Sequence, residues 1–222
     1  MRQWGTVLLA LILCFFTASL AKGQPPGKVV RLGLLYGGSP AFRPESDPYD
    51  RAFVEGLREN GFVVGQNVVI EFRTALGKPD RLPSLAVELV GLPVDLIAAL
   101  STRAALAAKQ ATSTIPIVMM GASDVVKLGL VASLARPGGN VTGLTNNPGS
   151  GLDAKQLQLL KEAAPKASRV AVIWSSANPP EVLAIKGLEM TGPSLGVTII
   201  SAEVRGPEDS RNRLQHDYTA AC

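Results

Sequence analysis

The 222-residue sequence holds little of what catalytic centres are built from. Its single histidine, His216, lies in a polar stretch near the C-terminus, where an imidazole is normally solvated. A serine nucleophile needs a base within hydrogen-bond reach, and no G-x-S-x-G elbow is present. A metal centre needs several convergent His, Cys or carboxylate ligands, and the loops after the expected strands offer only Asp124. The glycine-rich run 33–38 is not a dinucleotide fingerprint, and no Walker Lys-Ser/Thr pair occurs. These absences argue against an enzyme, and no metal or cofactor is expected. Aromatic residues make up 5% of the chain, and the basic residues are scattered singly around a net charge of only +4. That leaves neither a stacking platform nor an electrostatic footprint for nucleic acid.

Charge is also missing from residues 4–20, which follow the short basic start Met1-Arg2-Gln3. Residues 7–16 are continuously apolar apart from Cys14, and Ser19-Leu20-Ala21 places small residues around a cleavage point. This is the pattern of a secretory signal peptide over residues 1–21. The apolar core is too short to cross a bilayer of about 30 Å comfortably, so no stable membrane insertion is expected after cleavage. A lipoprotein anchor is disfavoured because Cys14 lies inside the apolar run behind bulky Leu13. Removal of the leader leaves Cys222 as the one cysteine, hence no internal disulfide. An exported chain of this kind depends on its hydrophobic core alone.

Beyond a flexible lead-in at 22–28, strand-like and helix-like runs alternate. Strands are expected at 29–35, 68–72, 95–100, 117–120, 141–144, 169–174 and 197–202. Helices are expected at 49–60, 81–90, 102–111, 124–134, 152–163 and 181–195. Such alternation implies βαβ units and parallel sheets flanked by helices. The strands at 29–35, 95–100, 117–120 and 169–174 are continuously apolar apart from Arg31, Asp95 and Arg169, as strands buried on both faces should be. A loop at 146–151 breaks the rhythm, separating a first unit (29–148) from a second (149–209). Residues 210–222 carry little apolar periodicity and depart from the pattern.

Ligands of parallel sheets bind beyond the carboxyl ends of the strands, which singles out hydroxyls, amides and one carboxylate. Ser101 and Thr102 stand where a strand turns into a helix; they cap it, or its free N–H groups hold a carboxylate, or both. Asp124 is a helix N-cap or an exposed partner for an ammonium group. Tyr36 lays its ring on a ligand or covers the sheet end. Asn178, before Pro179-Pro180, marks a turn or reaches a ligand. Trp174 lines a cleft or is buried in the sheet.

Four segments resemble the ABC-transporter substrate-binding proteins of the tryptophan/tyrosine-binding type: residues 53–68, 80–83, 111–119 and the longest, 129–144, GLVASLARPGGNVTGL. The resemblance extends over about residues 29–209. It implies a two-lobed α/β fold, periplasmic-binding-protein-like (type I), closing over a small molecule that is an aromatic amino acid or a related carboxylate. It also implies a periplasmic location, a membrane permease as partner and a monomeric chain. By position, Tyr36, Ser101, Thr102, Asp124 and Asn146 would face the cleft from the first lobe and Asn178 from the second. The family commonly has Asp-Pro-Val where this chain has Asp124-Val125-Val126, which keeps the acid and loosens the loop. Family members run roughly a hundred residues further, so the second lobe is expected to be incomplete and the chain truncated. Two other readings stay open: a periplasmic sensory module of the same fold, which gene neighbours would distinguish, and an α/β enzyme, which turnover of a bound ligand would reveal.

Overall fold

The computed structural model describes residues 28–38, 42–147, 151–205 and 209. The expected leader, all of the lead-in but Lys28, and the aberrant tail lie outside the described residues. Five strands form one parallel sheet: β1 (Val30–Tyr36), β2 (Val68–Thr74), β3 (Leu96–Leu100), β4 (Ile117–Ser123) and β5 (Val141–Asn147), in the order β2-β1-β3-β4-β5. A separate parallel pair joins β6 (Arg169–Trp174) to β7 (Thr198–Glu203). Among the described residues the α-helices are α1 (Pro48–Glu59), α2 (Leu82–Val90), α3 (Thr102–Ala111), α4 (Leu152–Ala163) and α5 (Pro179–Thr191).

Alternation along the central strands distributes side chains to two faces of the larger sheet. Leu35, Ile97, Ala99, Ile117 and Met119 turn to one face. There α2 contributes Leu82, Leu85, Ala86 and Leu89, and α3 contributes Ala104, Ala105, Ala107 and Ala108, all buried. The alanines let α3 lie close against the strands. Leu32, Leu34, Val68 and Ala98 turn to the other face, where Phe42, Phe72 and the α1 residues Phe53 and Leu57 pack on them. Asp47 caps α1, accepting hydrogen bonds from the N–H groups of Tyr49 and Asp50, and Pro48 occupies its first turn. No residue of α1 is fully buried. The helix therefore covers its face of the sheet without sealing it.

Two expectations are corrected. Residues 124–134 form turns rather than a helix. Asp124 has a left-handed backbone, φ 51°, and the turns after it do not propagate: Leu128 N–H donates to Asp124 O at 2.9 Å and Gly129 N–H to Val126 O at 3.0 Å. The N–H groups of Leu130 and Val131 both fold back to Val125 O, which buries Val125, Leu130 and Val131 without helical geometry. Strand β6 is not buried on both faces either. Val170, Val172 and Trp174 are half-buried, while Arg169, Ala171 and Ile173 are exposed. Its apolar composition reflects a strand covered on one side only among the described residues. Smaller shifts concern ends: β4 and β5 run three residues past their expected limits, to Ser123 and Asn147, and α5 gives way to a 3-10 turn at Gly192–Leu195.

The tightest point of the larger sheet is Gly143 of β5, paired with Met119 of β4. Its φ is +133°, and a Cβ there would lie 2.1 Å from the Met119 carbonyl oxygen and 2.7 Å from its nitrogen. Backbone strain and backbone overlap add, so Gly143→Ala should cost more than about 3 kcal/mol. A urea titration checks this: the midpoint should fall steeply, and an unchanged midpoint would contradict the pairing.

Candidate functional site

The strand order reverses direction at β1. Chain flow passes outward to β2, then returns to the opposite edge of β1 with β3. Loops leaving β1 and β3 diverge there and open a crevice at the carboxyl ends of the strands, where open α/β sheets take ligands. A cavity of about 620 Å³ occupies this place. Its floor comprises Tyr36 at the end of β1, Leu100 and Ser101 after β3, Met120 and Gly121 of β4, and Asn146 of β5. Its opposite wall is the first half of α1 with Phe42 and Phe72. Three of the six phenylalanines (Phe42, Phe53, Phe72) and two of the three tyrosines (Tyr36, Tyr49) line it. Phe42 meets Phe53 edge-on at 6.3 Å between ring centres and Phe72 in a tilted contact at 5.9 Å. These are the separations that aromatic quadrupoles favour.

Three of the six residues singled out from the sequence lie on this cavity. Tyr36 rests its ring on the loop that follows it: a Cβ on Gly38 would meet the Tyr36 Cζ at 2.9 Å, so a larger residue there would displace the ring. Asn146 donates from Nδ2 to Gly121 O at 3.2 Å. Ser101 adopts φ 112°, ψ 160°, a strained conformation for a residue with a side chain. Its Oγ accepts from Ala104 N–H at 3.3 Å, so the hydroxyl caps α3 while lining the cavity.

The other three do not line it, and neither does Trp174. Thr102 is buried, and its Oγ1 accepts from Ser123 N–H at 2.9 Å, tying α3 to the end of β4. Asn178 precedes α5 but does not cap it; its Nδ2 donates to Glu181 Oε1 at 2.5 Å. The Glu181 carboxylate also accepts from Ser175 N–H at 2.6 Å, closing the turn after β6. Trp174 donates from its indole nitrogen to Ser201 Oγ at 2.8 Å across the β6–β7 pair. Asp124 is neither an exposed carboxylate nor the cap of a helix. It is only 5% exposed, and its backbone N–H donates to Asn147 O at 3.1 Å where β5 ends.

The cavity-lining residues that the sequence did not single out include Phe42, Asp47, Tyr49, Asp50, Phe53 and Phe72. Their signal was local density: aromatic side chains cluster between residues 36 and 72 in a chain otherwise poor in them. Among the described residues no three His, Cys, Asp or Glu side chains gather as a metal would require.

Burial pushes the Asp124 carboxyl above its ordinary range; the Lys127 ammonium opposes this and the Asp153 carboxylate adds to it. A carboxyl whose pKa is raised on folding binds its proton more tightly in the native state. Its ionisation then costs stability as pH rises from the unfolded value, about 3.9, through the native one. Asn tolerates the same left-handed backbone. Asp124→Asn should therefore raise the melting temperature at pH 7, with the gain vanishing at pH 3; equal effects at both would contradict the burial argument.

A family model of ABC transporter substrate-binding proteins matches residues 44–216. A tyrosine-binding protein of Clostridioides difficile is 38% identical over 134 residues, covering 60% of this chain and 38% of that protein. Among solved structures, a conserved domain protein from Vibrio cholerae aligns with a TM-score of 0.76 at 25% identity, covering 87% of this chain and 64% of the other. An ABC domain from Streptococcus pneumoniae in complex with L-Trp aligns with a TM-score of 0.72 at 23% identity, covering 86% and 63%. The chain thus spans less than two thirds of the length of these relatives. The architecture they share is the type I periplasmic-binding-protein fold, and the chain belongs to the ABC transporter substrate-binding protein family.

Proposed function

We propose that this chain is the solute-binding component of an ABC importer, holding a small aromatic amino acid or a related carboxylate in the cleft at the ends of β1, β3, β4 and β5. The observation that carries this reading is the cavity itself. Its volume of about 620 Å³ lies within the ordinary range for small-molecule sites, and its walls are aromatic with a few polar groups converging. Phe42, Phe53, Phe72 and Tyr36 offer apolar ring surface on which a planar ligand would pack. The positive dipole end of α3, at Ser101 on the cavity floor, suits a carboxylate on the same ligand. In this reading residues 29–148 form one lobe and 149–209 part of a second, with Asn178 on the second side, and closure between them hides the ligand and presents a surface to the permease. The partners are the ligand and that membrane permease, with the chain working as a monomer. Export by residues 1–21 would deliver it to the periplasm. No helix among the described residues is long and apolar enough to cross a membrane, and the family works outside the cytoplasmic membrane.

Tyr49 offers a test free of folding effects. It lines the cavity yet is 85% exposed, an aromatic ring left in water at the mouth of an apolar space. Tyr49→Ala should leave stability within about 0.5 kcal/mol. It should weaken an aromatic ligand by roughly three- to tenfold, the 0.5–1.5 kcal/mol of one aromatic contact. Calorimetric titration of both forms with L-tyrosine, L-tryptophan and small aromatic acids reads this out. Failure of every such ligand to bind the unaltered chain would remove the reading.

A further inference from the structure

We infer that this cavity selects its occupant by positive charge: Asp50, with Asp47 beside it, favours a ring carried next to an ammonium group and disfavours an aromatic anion that has none. The inference rests on the solute-binding reading above and names the ligand class for that site.

The charged groups on the cavity wall are all of one sign. Asp47 and Asp50 line it, and among the described residues no lysine or arginine does. Neither carboxylate is neutralised by a neighbour. The three ion pairs among the described residues, Lys28–Asp95, Arg31–Glu71 and Arg73–Glu88, lie elsewhere. Arg51, next in sequence, turns its guanidinium to the carbonyls of Pro44 and Glu45. Arg43 meets Asp50 through its backbone N–H alone, at 2.7 Å to Oδ2. Each carboxylate therefore uses one oxygen internally, Asp47 Oδ1 at the helix cap and Asp50 Oδ2 with Arg43, and keeps the other.

Capping accounts for Asp47 and the helix dipole favours an acid at Asp50. Neither accounts for both lying on the wall of an aromatic cavity. Asp50 and Phe53, three residues apart, are neighbours on the surface of α1, with about 4.5 Å of axial rise between their backbone positions. Both side chains line the cavity, and Asp47 caps the same helix end. A ring packed on Phe53 and Phe42 would bring an ammonium on a short alkyl spacer to Asp50, with the faces of neighbouring rings adding cation–π attraction. A ring bearing only a carboxylate brings a third negative charge to the same wall. Amino acids satisfy the rule through their ammonium group, and so do simple arylalkylamines, which lack the carboxylate.

The test uses calorimetric titration of the chain without residues 1–21 against three probes of similar size: 2-phenylethylammonium, benzyl alcohol and benzoate. The ammonium probe should bind at least about tenfold tighter than either of the others at low salt, the gap narrowing as salt is raised. The double variant Asp47→Asn, Asp50→Asn keeps the cap and its acceptors. It should lose that preference while keeping a cooperative melting transition, which shows that it is folded. Benzoate or benzyl alcohol binding as well as the amine would overturn the charge rule and leave solute binding standing. A preference that survives in the double variant would overturn the assignment to these residues. Binding of none of the three probes would remove the solute-binding reading and this inference with it.

Discussion

Strand β1 is hydrogen-bonded along both edges, to β2 over its whole length and to β3 from Leu32 to Tyr36. Its side chains are shared between two helical layers, with Leu35 under α2 and α3 and Leu34 under α1. A strand pinned in this way cannot shift register without moving every apolar side chain to the wrong face. It also fixes where the chain reverses its direction of travel across the sheet, since β2 and β3 can only add on opposite sides. The cavity lies at that reversal, so its position is a consequence of strand pairing before any particular side chain contributes to it.

Two unequal layers then decide that the crevice stays open. On one face, the alanines of α3 and the leucines of α2 pack tightly and leave no room. On the other, α1 stands off on large aromatic rings, none of its own residues fully buried. Rings of that size hold the helix away from the strands, and the space beneath it remains accessible to a ligand. The asymmetry is written in residue size: small side chains where the sheet is closed, phenylalanines where it is not.

Much of this was legible from residue order. The alternation of apolar runs with helical spacing placed all seven strands, and α3 and α4 matched their expected limits of 102–111 and 152–163. The rule that ligands lie beyond strand ends led to Tyr36, Ser101 and Asn146, which lie on the cavity. It led equally to Thr102, Asp124 and Asn178, because adjacency in sequence does not reveal which of two neighbours turns inward. Thr102 spends its hydroxyl on Ser123 N–H, one residue from the serine that lines the cavity. The residues 124–134 misled because apolar spacing alone cannot show that Asp124 starts in a left-handed conformation. The aromatic wall was hidden for a different reason. Phe42, Phe53 and Phe72 come from a loop, a helix and an edge strand, and only the docking of α1 on the sheet brings them together.

Ser101 holds two offices with one hydroxyl, ending a helix and lining the cavity while its backbone sits in a strained conformation. A mutation there that alters ligand preference also disturbs the scaffold, so natural variation has little freedom at that position. Tyr49 carries no such double duty: it is exposed, it supports no core, and it still lines the cavity. The first turns of α1 are therefore where the cavity can be reshaped without unsettling the fold, with the strand ends kept as a fixed frame.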